Sequence, residues 1–125
     1  MDPAFLDFEQ VMDLHRTSLA AHGGIDGIRD ETGLHSAIHQ PQQDFYYGQA
    51  DLFGIAAAYA FHIAQAQAFL DGNKRTALSS ATTFLEANGI DTEADQTALY
   101  DAMIAIAEKR LDKAGLAVRF RELFG

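Results

Sequence analysis

The sequence predicts an all-α fold, a helical bundle that forms a single domain over residues 1–125. Apolar residues recur at helical spacing in several segments. No segment of useful length alternates apolar and polar residues, as a half-buried strand would. Residues 51–68 are apolar on nearly every face, which is typical of a helix surrounded by others. We therefore expect the bundle to be built around this central, buried helix.

The N-terminal segment predicts a first helix that begins after Asp7. The Asp7 side chain can accept a hydrogen bond from a free N–H group of the first helical turn. The apolar face of this helix carries Val11, Leu14, His15 and Leu19. Gly23 and Gly24 end the helix and open a glycine-rich connection over residues 23–33.

A second helix is predicted after Thr32, which can cap its N-terminus. We expect this helix to end near Gln40, because Pro41 lacks a backbone N–H and its ring clashes with the preceding turn. Residues 41–50 are polar and aromatic and too irregular to assign. They fit either a mobile flap over a site or a packed connection, and the sequence favours neither.

Four further helices are each preceded by a residue type that caps helix N-termini: Asp51, Asn73, Thr92 and Asp112. The central helix runs to about Ala68, and the next helix ends at Asn88. Thr92 resembles a capping box with Asp95, and the helix that follows extends as far as Arg110. A short helix after Asp112 completes the predicted bundle.

The composition argues against several classes of protein. A net charge of −9 argues against a general nucleic-acid binder, which would be basic, and it suits a basic partner segment. The chain has no cysteine, so no disulfide is needed. No apolar run approaches a membrane span, and the first residues lack the basic region of a signal peptide. We expect a cytoplasmic protein that binds neither membranes nor nucleic acid directly.

A polar run over residues 71–75 follows the central helix. Gly72 permits a tight turn, and Asn73 can cap the next helix. Lys74 and Arg75 fall in the first turn of that helix, where the helix dipole repels cations by roughly 0.3–1 kcal/mol each. Two cations at this end are explained if they and the free N–H groups bind an anion such as phosphate. The alternative is a solvated face, the usual position of adjacent charges.

Asp71 adds a carboxylate next to this anion site. A carboxylate is a hard ligand that suits a magnesium ion bridging two phosphates. Asp71 could instead be a plain helix cap. The residues together favour a nucleotide-phosphate site in which Asp71 holds the metal. The predicted phosphate-binding residues are Gly72, Asn73, Lys74 and Arg75.

Three histidines are candidates for other roles. His35 and His39 lie four residues apart and could share a helix face as metal ligands, but no third ligand follows at a recognisable spacing. We interpret them as surface or packing histidines. His62 lies five residues before Gln67 on the central helix, on a different face, and fits a hydrogen-bonded core histidine.

Residues 67–75 resemble the signature of the Fic/Doc family, which runs His-x-Phe-x-Asp/Glu-Gly/Ala-Asn-Gly/Lys-Arg. The matching residues are Phe69, Asp71, Gly72, Asn73, Lys74 and Arg75. Lys74 replaces the glycine of AMP-transferring members, and Leu78 replaces their second arginine. Both departures resemble the death-on-curing (Doc) branch, whose members are toxins of toxin–antitoxin pairs. Segments 27–30 and 57–62 also look Doc-like, so the resemblance covers nearly the whole chain.

The resemblance implies a Fic/Doc-like bundle and a kinase-like activity. The implied reaction is an ATP- and Mg²⁺-dependent phosphate transfer to a hydroxyl of a protein, which in the best-known Doc toxins is a threonine of elongation factor Tu. Asp71 and Arg75 would be catalytic residues, and Phe69 would anchor the loop. The partner that the resemblance implies is a Phd-like antitoxin. No inhibitory motif of the form Ser/Thr-x-x-x-Glu-Gly/Asn is evident, so inhibition should come from another chain. AMP transfer (AMPylation) is the alternative activity.

Gln67 stands where the family has its catalytic histidine. A glutamine amide can orient a hydroxyl but cannot accept its proton at neutral pH, and the loss of a general base typically costs 10²–10⁴-fold in rate. Three explanations fit: an engineered replacement, natural decay into a pseudoenzyme, or a different base such as His62. A catalytically silent module that binds nucleotide or an antitoxin is therefore a second candidate function.

Overall fold

A computed structural model describes residues 2–125, which fold into six α-helices. The helices are α1 (Phe8–His22), α2 (Glu31–Gly48), α3 (Leu52–Ala66), α4 (Asn73–Ala87), α5 (Gln96–Ala107) and α6 (Lys113–Phe124). Within residues 2–125 no strand forms, and one isolated β-bridge joins Ile28 to Phe69. The all-α prediction is confirmed. No helix of this part of the chain is long and apolar enough to cross a membrane.

The central position of α3 is confirmed. This helix packs against α2, α4, α5 and α6, whereas α1 packs against α4. The buried residues of α3 are Ile55, Ala56, Ala57, Ala58, Tyr59, Ala60 and Ile63. Because four of these seven are alanines, neighbouring helices can approach closely on several sides. The helix ends at Ala66, two residues earlier than predicted.

Local capping signals decide most of the helix starts. Asp7 forms a capping box with Gln10, and Asp51 and Asp112 accept hydrogen bonds from the N–H groups of the first turns of α3 and α6. The prediction that Thr32 caps α2 is wrong. Asp30 caps α2, with its Oδ1 atom 2.9 Å from the backbone N of Gly33.

The predicted boundaries of α5 also need correction. Asp95 caps this helix by accepting a hydrogen bond from the N–H of Thr97, whereas the hydroxyl of Thr92 donates to the Glu86 carboxylate. The capping box is therefore absent, because the Thr92 side chain is already bonded to α4. Arg110 lies beyond the end of the helix and pairs with Glu108.

The predicted break at Pro41 is wrong, because residues 41–48 belong to a helix that packs against the core. Helix α2 continues through Pro41 to Gly48. An internal proline costs about 3 kcal/mol, but Ile38 and Pro41 are buried here and Phe45 packs against the core. The Phe45 ring also meets the Phe5 ring edge-on, with centroids 5.8 Å apart. Tertiary packing on both sides of the proline outweighs the local preference.

Candidate functional site

Two residues in the left-handed backbone region bracket the loop between α3 and α4. Gln67 ends α3 with φ 45° and ψ 44°, and Gly72 precedes α4 with φ 79° and ψ 17°. Glycine adopts this conformation without strain, whereas a glutamine does so at a cost. Gln67 therefore lies at the turn where the chain leaves α3, and not within the helix as predicted.

The prediction that Asn73 caps α4 is wrong. Gly72 occupies the capping position, and no side chain among residues 2–125 caps this helix. The Asn73 side chain instead holds the loop: its Oδ1 accepts a hydrogen bond from the Phe69 N–H, and its Nδ2 donates to the Phe69 carbonyl, both at 3.0 Å. The first N–H groups of α4 are consequently free for an anion.

Phe69 anchors the loop to the body of the protein. Its side chain is fully buried, and its backbone lies beside Ile28 in the isolated bridge. Neighbouring backbone bonds extend the contact, since Leu70 donates to the Gly27 carbonyl at 3.0 Å and Arg29 donates to the Ala68 carbonyl at 2.6 Å. The glycine-rich connection before α2 thus supports the loop along one side.

His15 supports the same loop from α1, and sequence reasoning missed this role. Its imidazole stacks on the Phe69 ring, with centroids 3.7 Å apart and an angle of 9° between the planes. Its Nε2 atom lies 2.8 Å from the backbone oxygen of Asp71. The side chain is 1% exposed. The available signal was a histidine on the otherwise apolar face of the first helix.

The carboxylate of Asp71 faces the connection between α1 and α2. Its Oδ1 accepts a hydrogen bond from the Gly72 N–H at 2.9 Å, and its Oδ2 accepts one from the Ile25 N–H at 3.3 Å. The approach is close at Gly24, where a Cβ atom would lie 2.9 Å from the Oδ2 of Asp71. The position of this carboxylate depends on Gly24, which the sequence analysis assigned only to the end of the first helix.

Asp71 remains exposed and keeps lone pairs for a cation. Within residues 2–125 no group of three His, Cys, Asp or Glu side chains could hold a metal ion. A single carboxylate does fit magnesium, which is commonly held by one or two carboxylates together with substrate phosphates and water. The donor set is therefore compatible with a nucleotide-bound magnesium ion.

The predicted site residues line one cleft of about 450 Å³. The cleft residues that were predicted are Gln67, Asp71, Gly72, Asn73, Lys74 and Arg75. Three further polar residues line the same cleft and were not predicted: Gln65 of α3, Tyr100 of α5 and Lys109 after it. The structure thus brings the candidates together, and the role of each stays a prediction.

His62 does not line the cleft, and neither does any other histidine of the described chain. It is half-buried between three helices, where its Nε2 lies 3.1 Å from the Nζ of Lys113. Lys113 also pairs with Asp44 at 2.7 Å. Burial and the charge of Lys113 lower the pKa of His62, against the opposing effect of Asp44.

His35 and His39, the two histidines interpreted from the sequence as surface or packing residues, are both exposed. The exposed His35 ring stacks on Phe8, with centroids 4.1 Å apart, and His39 is within hydrogen-bond distance of the Gln43 side chain. They belong to no group of three potential metal ligands among the described residues.

A second, larger groove adjoins the cleft. It has a volume of about 810 Å³ and lies between α1, α4 and α5. Arg75 and Tyr100 line both the groove and the cleft. Leu78, one turn beyond Lys74, lines the groove only. A segment bound in the groove could therefore reach the cleft.

Comparisons with known proteins show which family this chain resembles. The sequence profile of the Fic/DOC family matches residues 5–85. The chain is similar to the protein kinase doc of Escherichia phage P1, with 32% identity over 118 residues that cover 94% of this chain and 93% of the relative. It is also similar to the toxin Doc of Mycolicibacterium smegmatis, with 39% identity over 93 residues that cover 73% of this chain and 69% of the relative.

Proposed function

This chain belongs to the Fic/Doc family, and we propose that it is a Doc-type toxin of a toxin–antitoxin pair. The proposed reaction is transfer of the γ-phosphate of ATP to a hydroxyl of a protein target. A threonine of elongation factor Tu is the target that the resemblance suggests, which would place the protein in the cytoplasm and its effect on translation. Names of two relatives, a protein kinase and a toxin, support the assignment.

One observation carries the proposal: the N-terminus of α4 has no side-chain cap and lies in a cleft with Lys74, Arg75 and Asp71. Free N–H groups, two cations and the helix dipole all favour a phosphate at this position. Magnesium, when bound with the nucleotide, would neutralise charge on the phosphates. Asp71 would hold it, Arg75 would contact the transferred group, and Phe69 would keep the loop in place.

The reaction needs an acceptor for the proton of the target hydroxyl. The acceptor oxygen forms a bond to the γ-phosphorus, the bond from that phosphorus to the leaving ADP breaks, and the hydroxyl proton must depart. Gln67 can accept a hydrogen bond from the hydroxyl but cannot take its proton, so in this chain the proton would pass to water. Positioning and charge neutralisation supply most of the catalysis in phosphoryl transfer. We therefore propose residual activity, reduced by roughly 10²–10⁴-fold relative to a histidine at this position.

A catalytically silent binding module is the second candidate function, and Gln67 is the observation that favours it. AMP transfer is less well supported. Leu78 stands where AMP-transferring members have their second arginine, and it lines the adjoining groove without a charge.

The proposed partner is a Phd-like antitoxin, with one segment in the groove between α1, α4 and α5. Two observations support this position. The groove shares Arg75 and Tyr100 with the cleft, so that its occupant can reach the phosphate site. The net charge of −9 also suits a partner segment that is basic.

Calorimetric titration with ATP and magnesium tests the phosphate site. We expect Arg75→Ala to weaken binding about tenfold or more, because it removes a charged hydrogen-bond donor. Arg119→Ala is the matched control, since Arg119 is an exposed cation outside the cleft. Equal affinity of the wild type and Arg75→Ala would remove the phosphate-site interpretation.

A further inference from the structure

Cations without a carboxylate partner are concentrated in the cleft. Within residues 2–125, four of the nine Lys and Arg side chains lie within 4.0 Å of a carboxylate: Arg16, Arg110, Lys113 and Arg121. Of the other five, Lys74, Arg75 and Lys109 line this one cleft. In a chain with a net charge of −9, such a cluster is not expected from composition. Lys109 reaches the cleft from the α5–α6 turn, 34 residues beyond Arg75.

Lys109 has a backbone conformation that favours glycine. Its φ is 60°, and it follows Glu108, the C-cap of α5. The Lys109 N–H donates to the Ile106 carbonyl at 3.1 Å, and the Arg110 N–H donates to the Ala105 carbonyl at 2.8 Å. This pair of bonds is the Schellman motif, whose left-handed residue is usually glycine. A lysine in its place is strained.

Strained residues are also concentrated in this cleft. Three non-glycine residues among the described ones have positive φ, namely Gln49, Gln67 and Lys109. Gln67 and Lys109 both line the cleft. Backbone strain persists at functional sites when the side chain has a role that the relaxed residue cannot fill. Glycine at position 109 would relieve the strain, but it would lack the ammonium group that Lys109 brings to the cleft.

We propose that Lys109 is a third phosphate-binding residue of the cleft, which contacts the phosphates of a nucleoside triphosphate from the α5–α6 turn. This inference rests on the proposed function, because it assumes that the cleft binds a nucleotide. Lys74 and Arg75 act at the start of α4, and Lys109 adds a charge from a different element. Three cations from two elements would hold a polyphosphate in one orientation, which is a requirement for transfer of its terminal phosphate.

The alternative is a solvated lysine in a strained turn, and two substitutions separate the interpretations. Lys109→Gln removes the charge and keeps a long side chain with the same backbone strain. Lys109→Gly removes the charge and relieves the strain. We expect Lys109→Gly to melt at a higher temperature than the wild type and yet bind ATP with magnesium more weakly. If Lys109 had only a structural role, Lys109→Gly would not raise the melting temperature and at the same time weaken the binding of ATP.

Calorimetric titration with ATP and magnesium is the deciding experiment. We expect about tenfold weaker binding for Lys109→Gln, as for the loss of one charged hydrogen-bond donor, and near wild-type binding for Lys109→Arg. Arg119→Gln is the control, since Arg119 lies outside the cleft and pairs with no carboxylate of residues 2–125. If Lys109→Gln binds like the wild type while Arg75→Ala binds more weakly, this inference fails and the proposed function stands. If the wild type does not bind ATP, both fail.

Discussion

The Nε2 atom of His15 lies 2.8 Å from the backbone oxygen of Asp71, which ties α1 to the loop between α3 and α4. A carbonyl oxygen only accepts hydrogen bonds, so this nitrogen carries the proton. The same imidazole stacks on Phe69. One buried side chain therefore fixes two residues of the loop, and the geometry of the candidate site depends on a helix outside the signature.

His15→Phe should weaken both the fold and the site. The substitution keeps an aromatic ring against Phe69 but leaves the Asp71 carbonyl without its donor, at a cost of about 1–3 kcal/mol. Urea unfolding measures the stability, and titration with ATP and magnesium measures the site. His35→Phe is the control, because His35 also stacks on an aromatic ring but is exposed and outside the cleft. Unchanged ATP affinity in His15→Phe would show that the loop does not need this support.

Asn73→Ala should destabilise the protein by about 1–3 kcal/mol and weaken nucleotide binding. It leaves the N–H and carbonyl groups of Phe69 without their side-chain partners. Asn88→Ala is a matched control at the other end of α4, where Asn88 bonds both backbone groups of Ala4. We expect similar unfolding free energies for the two variants, with ATP affinity reduced only in Asn73→Ala. A parallel loss in both would mean that the effect is general instability.

The stability of the bundle should fall as the pH drops below 6.5, and His62 should account for part of this loss. Burial and the charge of Lys113 lower the pKa of His62 below its ordinary value of 6.5, although the charge of Asp44 acts to raise it. The unfolded chain therefore binds a proton at a higher pH than the folded one, so His62 stabilises the fold above pH 6.5. This contribution is lost as the pH falls through the folded-state pKa.

Urea unfolding at pH 7.5 and pH 5.5 measures this effect. The wild type should lose more unfolding free energy between these values than His62→Gln, which cannot titrate. His39→Gln serves as the control, because His39 is exposed and its Nε2 atom is within hydrogen-bond distance of the Gln43 side chain. Identical losses in the wild type and His62→Gln would contradict the assignment.

Local signals predicted most of the helices because they act within a few residues. Asp7, Asp51 and Asp112 cap as expected, and the burial of α3 follows from its composition. The wrong predictions concern residues whose contacts lie far away in the sequence, or whose side chains form a different bond from the predicted one. Pro41 is accommodated by packing, and the side chain of Thr92 is bonded to α4.

In the candidate site, too, local relationships were predicted and distant ones were not. The residues of the signature were predicted because they are adjacent in sequence. His15 lies 56 residues from Asp71, and Lys109 reaches the cleft from beyond α5, so neither relationship is visible in a local pattern. Asn73 was assigned as a cap because its residue type favours that position. Its actual bonds to Phe69 depend on the left-handed turn at Gly72.

The substitution Gln67→His tests the proposed function most directly. Histidine is enriched among residues with positive φ, so it should adopt the backbone conformation of Gln67 without rearranging the loop. The introduced imidazole can take the proton that glutamine cannot. Arg75→Ala in the same background is the control, since it removes the proposed phosphate contact and leaves the new base in place.

The measurement is transfer of labelled γ-phosphate from ATP to proteins of a cell extract, followed together with growth of the expressing cells. We expect Gln67→His to increase transfer by roughly 10²-fold or more, which is the usual contribution of a general base, and to arrest growth in the absence of an antitoxin. If Gln67→His transfers no phosphate and the cells grow normally, the toxin kinase is excluded and the silent binding module remains.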